Sequence, residues 1–249
     1  MEKKVLSDPN KKRRAAILLG AITVLLVGLS IVYVNHPYFS PQFTEGTYGE
    51  YQGVFFSVPQ PLLLMDPAFL PEGTDNEALL LTSEKTTVEA KINRWENSHG
   101  FFEGKRITLR GKLLQADNKV MIELVEEEPS LLAIARALTY PINQTAPKQT
   151  ELTGEIITPK CWFGTRQNGE RKVYSRCTKN ALINGATPLL RVRKNKRNIY
   201  YLLENTVAET GGKPWVESVG HVVQVRGEVF YQNGWNVLRL SGEIQNVQE

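Results

Sequence analysis

Between Arg14 and Lys85 the sequence has no lysine or arginine, and the whole chain of 249 residues has two cysteines and three histidines. Each scarcity excludes something. Cys161 and Cys177 lie sixteen residues apart, so the two-residue spacing of thioredoxin-like redox centres is missing. His36, His99 and His221 all fall outside the segment between the cysteines, where a zinc site would want further Cys or His ligands. No Gly-x-Ser-x-Gly, His-Glu-x-x-His or phosphate-cradling glycine-rich loop occurs. Glu126, Glu127 and Glu128 read as electrostatic caps for a following helix rather than as acid-base groups. The expectation is a non-enzymatic protein with no cofactor.

What charge there is sits unevenly. Lys3, Lys4, Lys11, Lys12, Arg13 and Arg14 against Glu2 and Asp8 put the whole net charge of +4 into the first fourteen residues, and the remainder is neutral. Directly after this arm, residues 15–34 (AAILLGAITVLLVGLSIVYV) carry no charge. Twenty residues of helix rise about 30 Å, the thickness of a bilayer's hydrocarbon core. A cleaved signal peptide would have a shorter apolar run and a small-x-small site, so the segment reads as an uncleaved transmembrane helix. The basic arm then stays in the cytoplasm, and everything from about residue 35 is exported. The proline-containing stretch to residue 45 reads as a spacer.

Beyond it, short alternating or β-branched runs dominate, including YQGVFFSV, RITLRGKLL, KVMIELVE, ELTGEIIT, NIYYLLE and WNVLRLSG. VEAKINRWENSHG, closed by Gly100, and PSLLAIARAL are expected to be helices, and SRCTKNALIN a short one ended by Gly185. Gly104–Leu124 and Gly220–Leu240 align without a gap at an offset of 116 residues, each as a hairpin with a glycine, Gly111 or Gly227, inside a strand pattern. ALLLTSEKTTVEA and PLLRVRKNKRNIYYLL are expected to be a further pair of equivalent hairpins. The order strand, hairpin, connection, hairpin predicts a mostly β fold: a single transmembrane helix, then two tandem small OB-like β-barrels over 46–128 and 150–247, joined by a helical linker over 129–149. Two hairpin-rich sandwich domains are the alternative.

An exported location gives the cysteines an oxidising setting. A disulfide closing their loop would stabilise by roughly 3 kcal/mol in chain-entropy terms. Metal ligation and free or exchange-active thiols are the other readings. RVRKNKR, with Arg191, Arg193, Lys194, Lys196 and Arg197, reads as a solvated hairpin tip turning at Asn195 rather than as a nucleic-acid surface. It is a candidate surface for anionic headgroups or an acidic partner, and Trp162 and Tyr174 beside the cysteines are added to it.

The order GEIITPKCWFG, VYSRC, NGATPLL, NIYYLLE, VVQVRGEVFYQNGWNVLRL resembles a poorly characterised family of bacterial membrane-anchored exported proteins over about residues 151–245. Members often carry a His three residues before the second Cys and a Cys four residues after it, where this chain has Tyr174 and Ala181. Any metal or haem ligand set that the resemblance implies is therefore incomplete here. The resemblance implies a single-pass protein of a bacterial inner membrane with its C-terminal domains outside the cytoplasm. Apart from the resemblance, the expected partners are the bilayer, through residues 15–34, and, from the lack of catalytic motifs together with the tandem β architecture, an envelope membrane-protein complex, with no nucleic acid. A haem or metal carrier using the Cys161/Cys177 loop is the alternative.

Overall fold

The structure, a computed structural model, describes residues 44–82, 87–126, 129–135, 140–163, 171–195, 197–205 and 215–247. The basic arm, the apolar run 15–34 and most of the spacer lie outside these residues. Among the described residues no helix is long and apolar enough to cross a membrane. The fold is mostly β and contains two closed barrels within one compact unit, residues 41–249.

The first barrel uses β1 (Thr44–Phe56), β2 (Leu62–Met65), β3 (Glu77–Leu81), β4 (Arg106–Ala116) and β5 (Lys119–Leu124). Around the barrel the order is β1, β2, β3, β5, β4 and back to β1; every pairing is antiparallel except β3 with β5. The second repeats this order with β7 (Lys148–Ile157), β8 (Leu189–Lys194), β9 (Arg197–Asn205), β11 (Trp235–Leu240) and β10 (Val222–Gln232), again with one parallel pair, β9 with β11. The aligned hairpins are equivalent in register, since Gly111 lies opposite Leu124 and Gly227 opposite Leu240. A Cβ on Gly111 would come 2.6 Å from the Ile122 side chain and 2.7 Å from the Glu123 carbonyl oxygen, and one on Gly227 would collide with the Arg239 carbonyl. Only glycine lets the backbones close this tightly where the sheet bends.

Helix α1 (Val88–His99) follows β3, capped by the Thr87 hydroxyl, which accepts from the Ala90 amide, and ended by Gly100 at φ 76°. Val88 and Ile92 enter the first barrel's core beside Phe55, Phe102 and Ile107. The second barrel places its helices after its first strand instead: α2 (Pro159–Phe163) and α3 (Arg171–Ile183), the latter followed by Gly185 at φ 92°. Its core gathers Ile156, Leu182, Leu190, Val223, Val225 and Leu238.

Two expectations are corrected. ALLLTSEKTTVEA is not a hairpin: its first four residues belong to β3, its end starts α1, and the antiparallel partner of β3 is β2, a four-residue strand just beyond two prolines. PSLLAIARAL is not a helix where it is described, because Leu131–Ile134 forms strand β6, so the linker is not helical there and the element that follows the acidic run is a strand. The reason is an open edge. β5 covers only the second half of β4, and β6 pairs with Ile107, Thr108 and Leu109 of the first half. Four apolar residues gain more from completing that ladder than from a short helix of modest propensity. Ser130, expected at the helix start, is buried; it donates to the Val125 carbonyl and accepts from the Lys91 ammonium. In the second barrel β12 (Gln245–Asn246) closes the same gap on β10.

A third core joins the barrels. Val54, Phe56, Leu62, Leu79, Leu81 and Met121 point out of the first barrel, and they pack with Ile157, Phe163, Leu189, Tyr200, Leu202 and Trp235 of the second. This accounts for the unbroken apolar runs VFF, LLLM, ALLL and VMI: a strand buried on both faces does not alternate.

Candidate functional site

The rim of this interface carries a cross-barrel set of polar contacts. Trp235, wholly buried, donates from Nε1 to the Glu77 carbonyl at 3.2 Å, and its ring carries the Lys119 ammonium 4.5 Å from its centroid. Asn233, in the β10–β11 turn at φ 43°, donates to the Val58 carbonyl at 2.9 Å and accepts from the Asn143 amide at 3.0 Å. The linker is thereby stitched to the second barrel, with Thr145 and Tyr231 exchanging backbone and hydroxyl hydrogen bonds. Lys160 of α2 meets Glu123 of β5 at 3.2 Å.

At one end the interface opens into a cleft of about 680 Å³ lined by residues that include Asp75, Glu77, Asn118, Lys119, Asn198, Tyr200 and Tyr231. Asp75 pairs with Lys119 at 2.6 Å and accepts from Asn118 at 2.9 Å. The Tyr200 hydroxyl donates to Asp117 at 2.6 Å and accepts from Trp162 Nε1 at 3.2 Å. Burial, reinforced by the neighbouring Asp117 charge, pushes the Tyr200 hydroxyl far above the ordinary phenol range, so it stays a donor.

Glu77 shows the cost of this placement. Burial holds its carboxyl above the usual carboxylate range, with the Lys119 charge pulling the other way. The folded state therefore binds the proton more tightly than the unfolded chain. The associated stability is complete below the ordinary glutamate pKa and is lost as pH rises through the raised folded value. Glu77→Gln is neutral throughout. We expect it to match the parent in thermal midpoint near about pH 4 and to exceed it progressively toward about pH 8. Scanning calorimetry across that range checks the sign, and a constant difference would show that Glu77 is not penalised by burial.

The cysteines are at disulfide distance: the sulfurs lie 1.99 Å apart and the Cα atoms 5.8 Å apart. The bond ties α2 to α3. Because Phe163 of α2 lies in the interbarrel core, 5.1 Å ring to ring from Tyr200, the bond also fixes one wall of that core.

The residues selected from the sequence as an interaction surface separate into two groups. Trp162 and Arg191 come together and are largely buried: the Arg191 guanidinium stacks 3.9 Å from the Trp162 ring and pairs with Glu155 at 2.7 Å. Arg193, Lys194 and Arg197 are exposed around the β8–β9 turn, where Asn195 has φ 51°. Lys196 and the Tyr174 side chain lie outside the described residues. The cleft residues were missed because Asp and Asn, as at Asp75 and Asn118, are residue types common in any turn. The available signal was that both halves of the chain carry apolar runs too continuous for a one-sided sheet.

Comparison with protein-family models and with curated proteins finds no match to this chain.

Proposed function

We propose that this chain is a membrane-anchored, extracytoplasmic, non-enzymatic module that presents two OB-type barrels as one rigid body to an assembly in a bacterial cell envelope. The strand order, with a parallel pair between third and fifth strands and a glycine bend in the fourth, supports the OB assignment of both barrels. The observation that carries the functional reading is the interbarrel core. A continuous apolar interface with cross-barrel hydrogen bonds holds the faces of both barrels in fixed relation, as a docking scaffold requires. The disulfide favours the exported side, where such bonds persist. It also weighs against the carrier reading, because each sulfur that would ligate a metal or haem is bonded to the other.

Location is tested by fusing after Glu249 a reporter enzyme that is active only outside the cytoplasm. Activity is expected. Assembly is tested by the native mass of the full chain extracted from membranes in mild detergent, expected to exceed that of the monomer through a second polypeptide. A cytoplasmic C-terminus, or a lone monomer, would overturn the corresponding half of the reading.

A further inference from the structure

We infer that the cleft at the junction of the two barrels is a binding site for a short, uncharged oligosaccharide. This goes beyond the docking role and needs neither the anchor nor an envelope partner.

The cleft belongs to the pair of barrels and to neither alone. The first barrel contributes the β2–β3 connection, through Asp75 and Asn76, the start of β3 and the β4–β5 turn. The second contributes the first half of β9 and the β10–β11 hairpin. The two walls are fixed to each other by the Trp235 and Asn233 hydrogen bonds across the interface, at 3.2 Å and 2.9 Å, so a ligand has little ordering cost to meet. Gly234, at φ 87°, lets the second wall come this close, since a Cβ there would collide with the Glu77 side chain. The volume, about 680 Å³, lies within the range of about 300–1,000 Å³ found for small-molecule sites.

The charges of the lining select against ionic ligands. Asp75 and Glu77 against Lys119 leave a formal charge of −1 when Glu77 is ionised. The Lys119 ammonium is already held 2.6 Å from Asp75 and over the Trp235 ring. A phosphate or other anion therefore meets a cation that is already paired and a carboxylate that repels it. An organic cation fares little better, because Lys119 neutralises Asp75 and burial holds Glu77 toward its uncharged form.

What the lining offers instead is hydrogen bonding without net charge. Asn118 gives its amide nitrogen to Asp75 at 2.9 Å, and Asn198 gives its own to Asp117 at 3.4 Å, so the amide oxygen of each is the group that accepts from a ligand. Asn76 and Asn236 add further amides. A planar amide carries a donor beside an acceptor, the pattern that adjacent hydroxyls of a sugar ring match. Between these groups lie Leu70, Ile199 and Tyr231, the last 38% exposed, as apolar surface for the C–H faces of the ring.

The test is isothermal titration of the full chain, in a detergent whose headgroup is not a sugar, with maltotriose, cellotriose and chitotriose. At least one is expected to bind at one site per chain with a Kd between about 0.1 and 1 mM. Its affinity should be the same in about 0.05 M and about 0.5 M salt, since no charge pair forms. Tyr231→Leu combined with Asn236→Ala should weaken binding about tenfold, whereas Phe101→Ala, at an exposed residue outside the cleft, should leave it unchanged. If the double variant folds poorly, Asn118→Ala, a change at an exposed turn, should still weaken binding about fivefold. Absence of binding by all three sugars up to about 10 mM would overturn the inference. So would sugar binding that the cleft substitutions leave unchanged, or saturable binding of spermidine or of a single-stranded oligonucleotide in place of the sugars.

Discussion

Replacing Trp235 by alanine is expected to destabilise both barrels together by about 3–5 kcal/mol, the range for truncating a large, fully buried aromatic. The residue is wholly buried in the core shared by the barrels. Truncation would open a cavity there, leave the Glu77 carbonyl without the indole donor 3.2 Å away, and remove the ring beneath Lys119. The barrels report separately, because Trp95 packs on Phe102 in the first and Trp215 belongs to the core of the second. In denaturant titrations of the full chain in detergent, one coincident transition is expected for the parent. The variant should show an earlier midpoint sensed in both barrels. A loss below about 1 kcal/mol, or a first barrel unmoved by a change in the second, would show that the barrels are merely adjacent.

Breaking the disulfide should have the next largest effect. Cys161→Ser opens a loop of sequence separation 16, for which the loss is about 2–4 kcal/mol. Cys161 is buried on α2, which also supplies Phe163 to the interbarrel core and Lys160 to Glu123 of the first barrel. The loss should therefore reach the first barrel as well, in proportion to how far α2 is displaced. Thermal unfolding of the parent with and without reductant gives the same comparison without a substitution. Identical curves would mean that α2 is held by packing alone.

Much of the architecture was legible because local signals agreed with the global fold. The ungapped hairpin repeat, the placed glycines Gly111 and Gly227, and the helix ends at Gly100 and Gly185 each combine a pattern with a backbone requirement. PSLLAIARAL was misread because its apolar spacing fits either a short helix or a short strand. The deciding factor, an uncovered edge on β4, lies some twenty residues away in sequence. β2 was overlooked because four apolar residues beside prolines carry little periodicity. The interbarrel core is a different case. Residues such as Val54, Leu79 and Leu202 were visible as apolar, yet composition cannot say that the outer faces of two separate barrels match one another. The cleft at its rim follows from that match and was invisible for the same reason.

The account stands on a clamped body held outside the cytoplasm, and the state of the cysteines in living cells tests that most directly. Intact cells making the full chain are treated with a membrane-permeant alkylating reagent before lysis and without reductant, and the protein is then analysed by mass spectrometry. The account predicts that neither Cys161 nor Cys177 carries the label until the sample is reduced. Label on both cysteines of the never-reduced protein would contradict it.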